Sequence, residues 1–229
     1  MKQSRGNIIF VIFIAIGLFA LLSYAVTGGS SSALDIDKEE AQLEADRMMR
    51  YLGEMKMTIG RLKILHGCDD SQLSFESAPF DGTDTDYINP NSAGTKCFVF
   101  NTNTGGIKEQ SFDFADAPTI TGGTYIEGLG TTGYAAPSAA ELMIIYPNIA
   151  RGICLELNKM NGVENAADAP PDIITGNAST GHFKGTFTGD GTFASGGNYD
   201  PTAACIDPNT VNGISEDGEN WFYYSLIIR

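Results

Sequence analysis

The sequence predicts an α+β fold: a long amphipathic spine helix packed on an antiparallel β-sheet head with long polar loops, preceded by an apolar N-terminal helix. Two observations carry that reading. Ala41, Ala45, Met48, Leu52, Met55, Ile59 and Leu62 recur at alternating steps of four and three, which places them on one face of a helix. Further on, short runs rich in β-branched and aromatic residues lie between clusters of Gly, Asn, Asp and Pro, the punctuation of strands and turns.

The chain opens MKQSRGNIIFVIFIAIGLFALLSYAV, so residues 1–6 form a short basic leader containing Lys2 and Arg5. From Ile8 to Val26 there follow 19 residues without a charge. As a helix they cover about 29 Å, the thickness of a bilayer core, so residues 7–26 are predicted to span a membrane. The basic flank stays on the cytoplasmic side and the rest crosses, giving a single-pass inner-membrane protein with its head outside. Ser23-Tyr24-Ala25 also offers small residues to an ordinary signal peptidase, which would release a secreted chain starting at Val26. Residues 27–33, with Thr-Gly-Gly-Ser-Ser-Ser, read as a flexible joint.

Residues 34–229 are enough for one head domain with its own core. The spine helix is predicted from about Asp37 to His66, closed by Gly67, with its apolar stripe as core. Met48, Met49, Met55 and Met57 cluster on it and would also suit an adaptable ligand surface. A polar loop from Asp69 leads to a short strand, KCFVFN, at Lys96 to Asn101, and GTYIEGL at Gly123 to Leu129 is a further strand of an antiparallel meander. Pro147 divides the next apolar block into a buried strand, ELMIIY, and a helix, IARGICLELNKMNG, closed by Gly162. A Gly/Thr/Ala/Asn-rich region follows, with a hairpin expected in GTFTGDGTF. The last run, ENWFYYSLIIR, is apolar on both faces and reads as a strand inside the sheet.

Charge and composition exclude several functions. A net charge of −14 repels phosphate backbones, so no nucleic acid partner is expected. The chain has 2 histidines and neither a GxSxG nor an HExxH motif, so no catalytic set is recognisable, and no cofactor is implied. Asp81, Asp84 and Asp86 group hard oxygen ligands that would suit calcium, but no glutamate completes the loop, and the stretch reads as a solvated acidic turn. The 4 cysteines all fall in the exported part, where pairing is favoured; sequence order gives Cys68 with Cys97 and Cys154 with Cys205.

A basic leader ending in glycine, an apolar helix, its amphipathic continuation and a disulfide-containing head together resemble the type IV pilin and pseudopilin superfamily. The resemblance covers the leader and about the first 60 residues by motif, and the head by architecture. It implies cleavage after Gly6, a mature chain starting at Asn7, and an assembly helix in which Ile8, Phe10, Val11 and Phe13 pack against like helices. Its implied partners are other pilin-like subunits and the inner-membrane assembly machinery. Such subunits commonly carry a glutamate where this chain has Val11; subunits of the tip type lack it, so the resemblance implies a minor or tip component.

Overall fold

The computed structural model describes residues 12, 14–15, 31–77, 86–92, 94–126, 140–171, 175–177, 181–189, 191–194, 202–207 and 220–229; within these, the side chains of 31–37, 125, 175–177 and 192–194 are left aside. The chain divides into two compact units, Met1–Ala41 and Gln42–Arg229. In the first, Ile12, Ile14, Ala15 and residues 31–41 are helical. Among the described residues no helix is long and apolar enough to cross a membrane, and apart from those three positions the segment 7–26 lies outside them.

The spine helix, α1, runs Ser31–His66. It is already helical at Ser31, six residues before Asp37 and inside the stretch read as a joint. Gly67, at φ +64°, ends it in the left-handed conformation that favours glycine. The stripe is core as expected: Ala45, Met48, Leu52, Met55, Ile59 and Leu62 are fully buried or nearly so.

Among the described residues seven strands follow: β1 Thr119–Thr121, β2 Thr124–Ile126, β3 Leu142–Tyr146, β4 Thr175–Asn177, β5 Gly191–Ala194, β6 Ala203–Ile206 and β7 Trp221–Ile227. A four-stranded antiparallel sheet has the order β1-β3-β7-β6, so the terminal strand lies in the interior of the sheet, buried along both faces except at Tyr224. The register aligns Ile144 with Tyr224, Tyr146 with Phe222 and Cys205 with Phe222, which puts these side chains on one face. That face meets α1: the Lys56 ammonium donates to the Ser225 carbonyl at 3.3 Å and lies 5.5 Å from the Tyr224 ring. It also meets the second helix, α2 Arg151–Met160, through the Cys154–Cys205 disulfide. The opposite face carries Met143, Ile145, Ala204, Ile206, Trp221 and Tyr223, which cluster with Val163 and Ile126. Both faces are therefore covered, the reason β3 and β7 read as continuous apolar runs.

Two strand expectations are corrected. KCFVFN is no strand: only Phe98 forms a bridge, parallel to Ser74, within a series of turns. Cys97, Phe98, Val99 and Phe100 are all buried, and the Thr104 hydroxyl folds back to donate to Thr95 and Phe98 carbonyls at 3.2 and 3.3 Å. Gly105 lies so close to Val99 that a Cβ there would strike its carbonyl, leaving no room for a neighbouring ladder. Nor does GTFTGDGTF fold as a hairpin. Its arms bond elsewhere, Thr188 N–H to the Gly122 carbonyl at 3.2 Å and Gly191 N–H to the Gly123 carbonyl at 2.7 Å. β5 instead sits between β2 and β4, parallel to β2, so the second sheet is mixed and not the expected meander.

Candidate functional site

Each disulfide occurs between the expected partners, with Cα–Cα separations of 5.8 Å for Cys68–Cys97 and 5.4 Å for Cys154–Cys205. Around the second, helical spacing puts Asn158 one turn after Cys154 on the same side of α2. The Asn158 amide then treats the Cys205 backbone as a strand would: Oδ1 accepts from Cys205 N–H at 2.7 Å and Nδ2 donates to its carbonyl at 2.8 Å. A buried side chain thus satisfies the edge of β6. Sequence reading missed this role, because a lone Asn in a helix gives no pattern.

A buried acid joins the two sheets. Glu141, fully buried just before β3, donates its backbone N–H to the Thr124 carbonyl at 3.1 Å and accepts the Ile126 N–H on Oε2 at 2.9 Å. Its Oε1 has no hydrogen-bond partner among the described residues. Burial raises the carboxyl to about pKa 7, against the opposing effect of the Ile126 bond and of Arg229. Tyr51 and Tyr146 are likewise held above the ordinary phenol range by burial.

Among the described residues, the outer side of α1 carries exposed apolar side chains. Leu43, Arg50, Met57 and Ile64 repeat every seven residues, and Asp46, Gly53 and Gly60 repeat at the same interval three places on, making a seam on the side opposite the core stripe. Leu43 is 66%, Met57 71% and Ile64 83% exposed, so the apolar members of this seam meet solvent. Beside it lies a shallow groove of about 410 Å³ lined by Leu43, Asp46, Arg47, Arg50, Tyr51 and Glu54 together with Glu44 and Gln110. Arg47 pairs with Glu44 at 3.3 Å and its guanidinium stands 5.6 Å from the Phe112 ring, while the Tyr51 hydroxyl accepts from Gln110 N–H at 3.2 Å. The groove is thus a mixed-charge surface.

The residues named for processing and assembly, Gly6, Asn7, Ile8, Phe10, Val11 and Phe13, lie outside the described residues, as do Asp81 and Asp84. Asp86 is exposed in a turn. Among the described residues no group of three or more His, Cys, Asp or Glu side chains is arranged to hold a metal ion. No protein-family model, curated protein or solved structure matches this chain.

Proposed function

We propose that the protein is a pilin-like structural subunit, a minor or tip component of a type IV pilus or type II secretion-like filament, held in the inner membrane by residues 7–26 before assembly, its head outside. The observation that carries the reading is the opening of the chain: a basic leader ending in Gly6, then an apolar segment free of charge until Asp35. A 36-residue helix whose later part is built into a disulfide-closed α+β head supports it, since that head fixes the helix as a spine. Removing Lys2 and Arg5 by cleavage after Gly6 would free the apolar helix to leave the bilayer and pack against like helices.

Intact mass of the membrane-associated protein, produced with and without a prepilin peptidase, tests this. The expected product with the peptidase begins at Asn7, and Gly6→Leu should block the cut. A mass retaining residues 1–6 in the presence of the peptidase leaves a plain membrane anchor. One beginning at Val26 makes the protein a secreted binding protein and the opening a discarded signal.

A further inference from the structure

The edge of the second sheet is closed by one residue of the first. β2 is the edge strand in the order β2-β5-β4, and toward β5 the Gly123 carbonyl before it accepts from Gly191 N–H at 2.7 Å. Backbone groups alternate in direction along a strand, so the Thr124 carbonyl and the Ile126 N–H point to the other side. Glu141 takes both. Its backbone N–H donates to the Thr124 carbonyl at 3.1 Å and its Oε2 accepts from Ile126 N–H at 2.9 Å, so one residue just before β3 stands in for a strand along β2. The chain between β1 and β2 at this corner is only Gly122–Gly123, a link with a permissive backbone. The β3–β7 ladder also shifts register between Leu142 and Met143, so the first sheet is irregular beside the same point.

This closure depends on a proton. The bond from Ile126 occupies Oε2 as an acceptor, so a proton on the carboxyl sits on Oε1, which is buried and has no hydrogen-bond partner among the described residues. Once ionised, the group keeps its bond to Ile126 but holds charge at Oε1 with no donor to receive it. The surroundings do little to compensate. β2 reads Thr-Tyr-Ile and brings no charge, and on β7 Tyr223 stands opposite Ile145, four residues further along β3. Arg229 lies over the Phe187 ring at 4.0 Å, and its attraction is the weakest influence on the acid. In the segment that bonds Gly122 through Thr188, His182 faces the Tyr87 ring at 4.8 Å and Lys184 is exposed. We infer that Glu141 is a proton-operated clasp between the two sheets: protonated, it keeps β2 closed on β3, and on losing its proton it lets β2 part from residue 141 about the Gly122–Gly123 link, admitting water to the carboxylate. Burial holds the closed acid at about pKa 7, and in the open form it meets water and returns to the ordinary 4.5. Opening therefore gains about tenfold for each pH unit between those values and levels off above them. The inference concerns the head and does not rest on the filament reading.

Amide-resolved hydrogen exchange of the full chain in detergent, corrected for the chemical exchange rate at each pH, reads this opening directly. At the Ile126 and Glu141 N–H groups of the parent, the opening constant should rise about tenfold per unit from pH 5 to near pH 7 and then stay level. It should exceed that of the β6–β7 ladder by at least about a hundredfold throughout, and low denaturant should leave it unchanged while speeding exchange in the ladder, because a local opening exposes little surface. Glu141→Gln keeps an acceptor for Ile126 but cannot ionise, so its profile should be flat over the same range. The parent's profile decides the matter even where that variant does not fold. A flat parent profile, a slope that survives in Glu141→Gln, or an opening constant at Ile126 equal to the ladder's and equally sensitive to denaturant would each overturn the inference, the last by showing that the acid meets water only on global unfolding.

Discussion

The two disulfides close comparable loops, 29 and 51 residues in sequence separation, in opposite kinds of structure. Cys154–Cys205 joins α2 to β6, where Cys205 is already held by the β6–β7 ladder and by both polar atoms of the Asn158 amide. Cys68–Cys97 closes a region in which the described residues between Gly67 and Pro118 form no strand. There, order comes from other bonds. Asn89 donates to the Ser71 and Leu73 carbonyls at 2.9 and 2.6 Å, and Ser74 exchanges backbone bonds with Cys97 and Val99 at 3.0 and 2.9 Å. Phe75, Phe100 and Phe183 pack edge to face, and Tyr51, Phe112 and Tyr146 do the same across α1, the loop and β3. A ladder distributes its bonds over many equivalent groups, whereas this loop concentrates them in a few side chains. Damage to the ladder region should therefore be global, and damage to the loop local.

The comparison breaks down if the spine does not support both regions, so the largest expected effect is at α1. Leu52→Asp places an unpaired carboxylate in the core and should cost on the order of 4 kcal/mol or more, enough to abolish cooperative thermal unfolding followed by circular dichroism. Leu43→Asp, on the exposed side, should stay within about 0.5 kcal/mol of the parent. Equal melting temperatures for the two variants would show that the stripe is no core.

Next in size are the crosslinks. Loop-closure entropy assigns roughly 3.5 kcal/mol to the first disulfide and roughly 4 to the second, too small a gap to separate them by magnitude. Hydrogen exchange separates them by place. Cys68→Ser with Cys97→Ser should lose protection mainly between residues 67 and 118, and Cys154→Ser with Cys205→Ser should lower it throughout the four-stranded sheet. Matching exchange maps would erase the distinction between the regions.

Glu141 tests the junction of the two sheets. Its folded pKa of about 7 stands above the unfolded value near 4.5, so its contribution is intact below pH 4.5. The contribution is lost as pH rises to about 7 and is constant above that, where only ionised carboxylate remains. The loss amounts to roughly 3 kcal/mol, from about 1.36 kcal/mol for each of roughly 2.5 pH units. Glu141→Gln removes that slope, so denaturant titrations at pH 5 and pH 8 should show a variant that gains stability relative to the parent only at the higher pH. A parent whose stability does not fall over this interval would mean that the acid is not held neutral.

The smallest effects sharpen the same contrast. Asn158→Ala leaves the Cys205 N–H and carbonyl without their partner and should cost about 1 to 3 kcal/mol of global stability. Asn89→Ala should cost a similar amount or less, and limited proteolysis should place it in the loop while the sheet's unfolding midpoint stays unchanged.

Taken by itself, the sequence determined those features in which one physical signal was repeated along the chain. The core stripe of α1 was legible because seven positions share one helical period, and β3 and β7 were legible because strands covered on both faces are apolar throughout. The helix after Pro147 was equally plain, bounded by a residue that cannot continue a helix and by Gly162 at φ +71°. The tertiary structure alone decided the features that depend on what lies opposite. An apolar run such as Cys97 to Phe100 suits a strand or a buried turn equally, and the close passage of Gly105 settled it as a turn. Likewise, β6 and the parallel pairing of β5 with β2 came from a Gly- and Ala-rich stretch with almost no periodicity. Glu141 and Asn158 acquire their roles from unpaired backbone groups supplied by distant segments, a relation that exists only once the chain has folded.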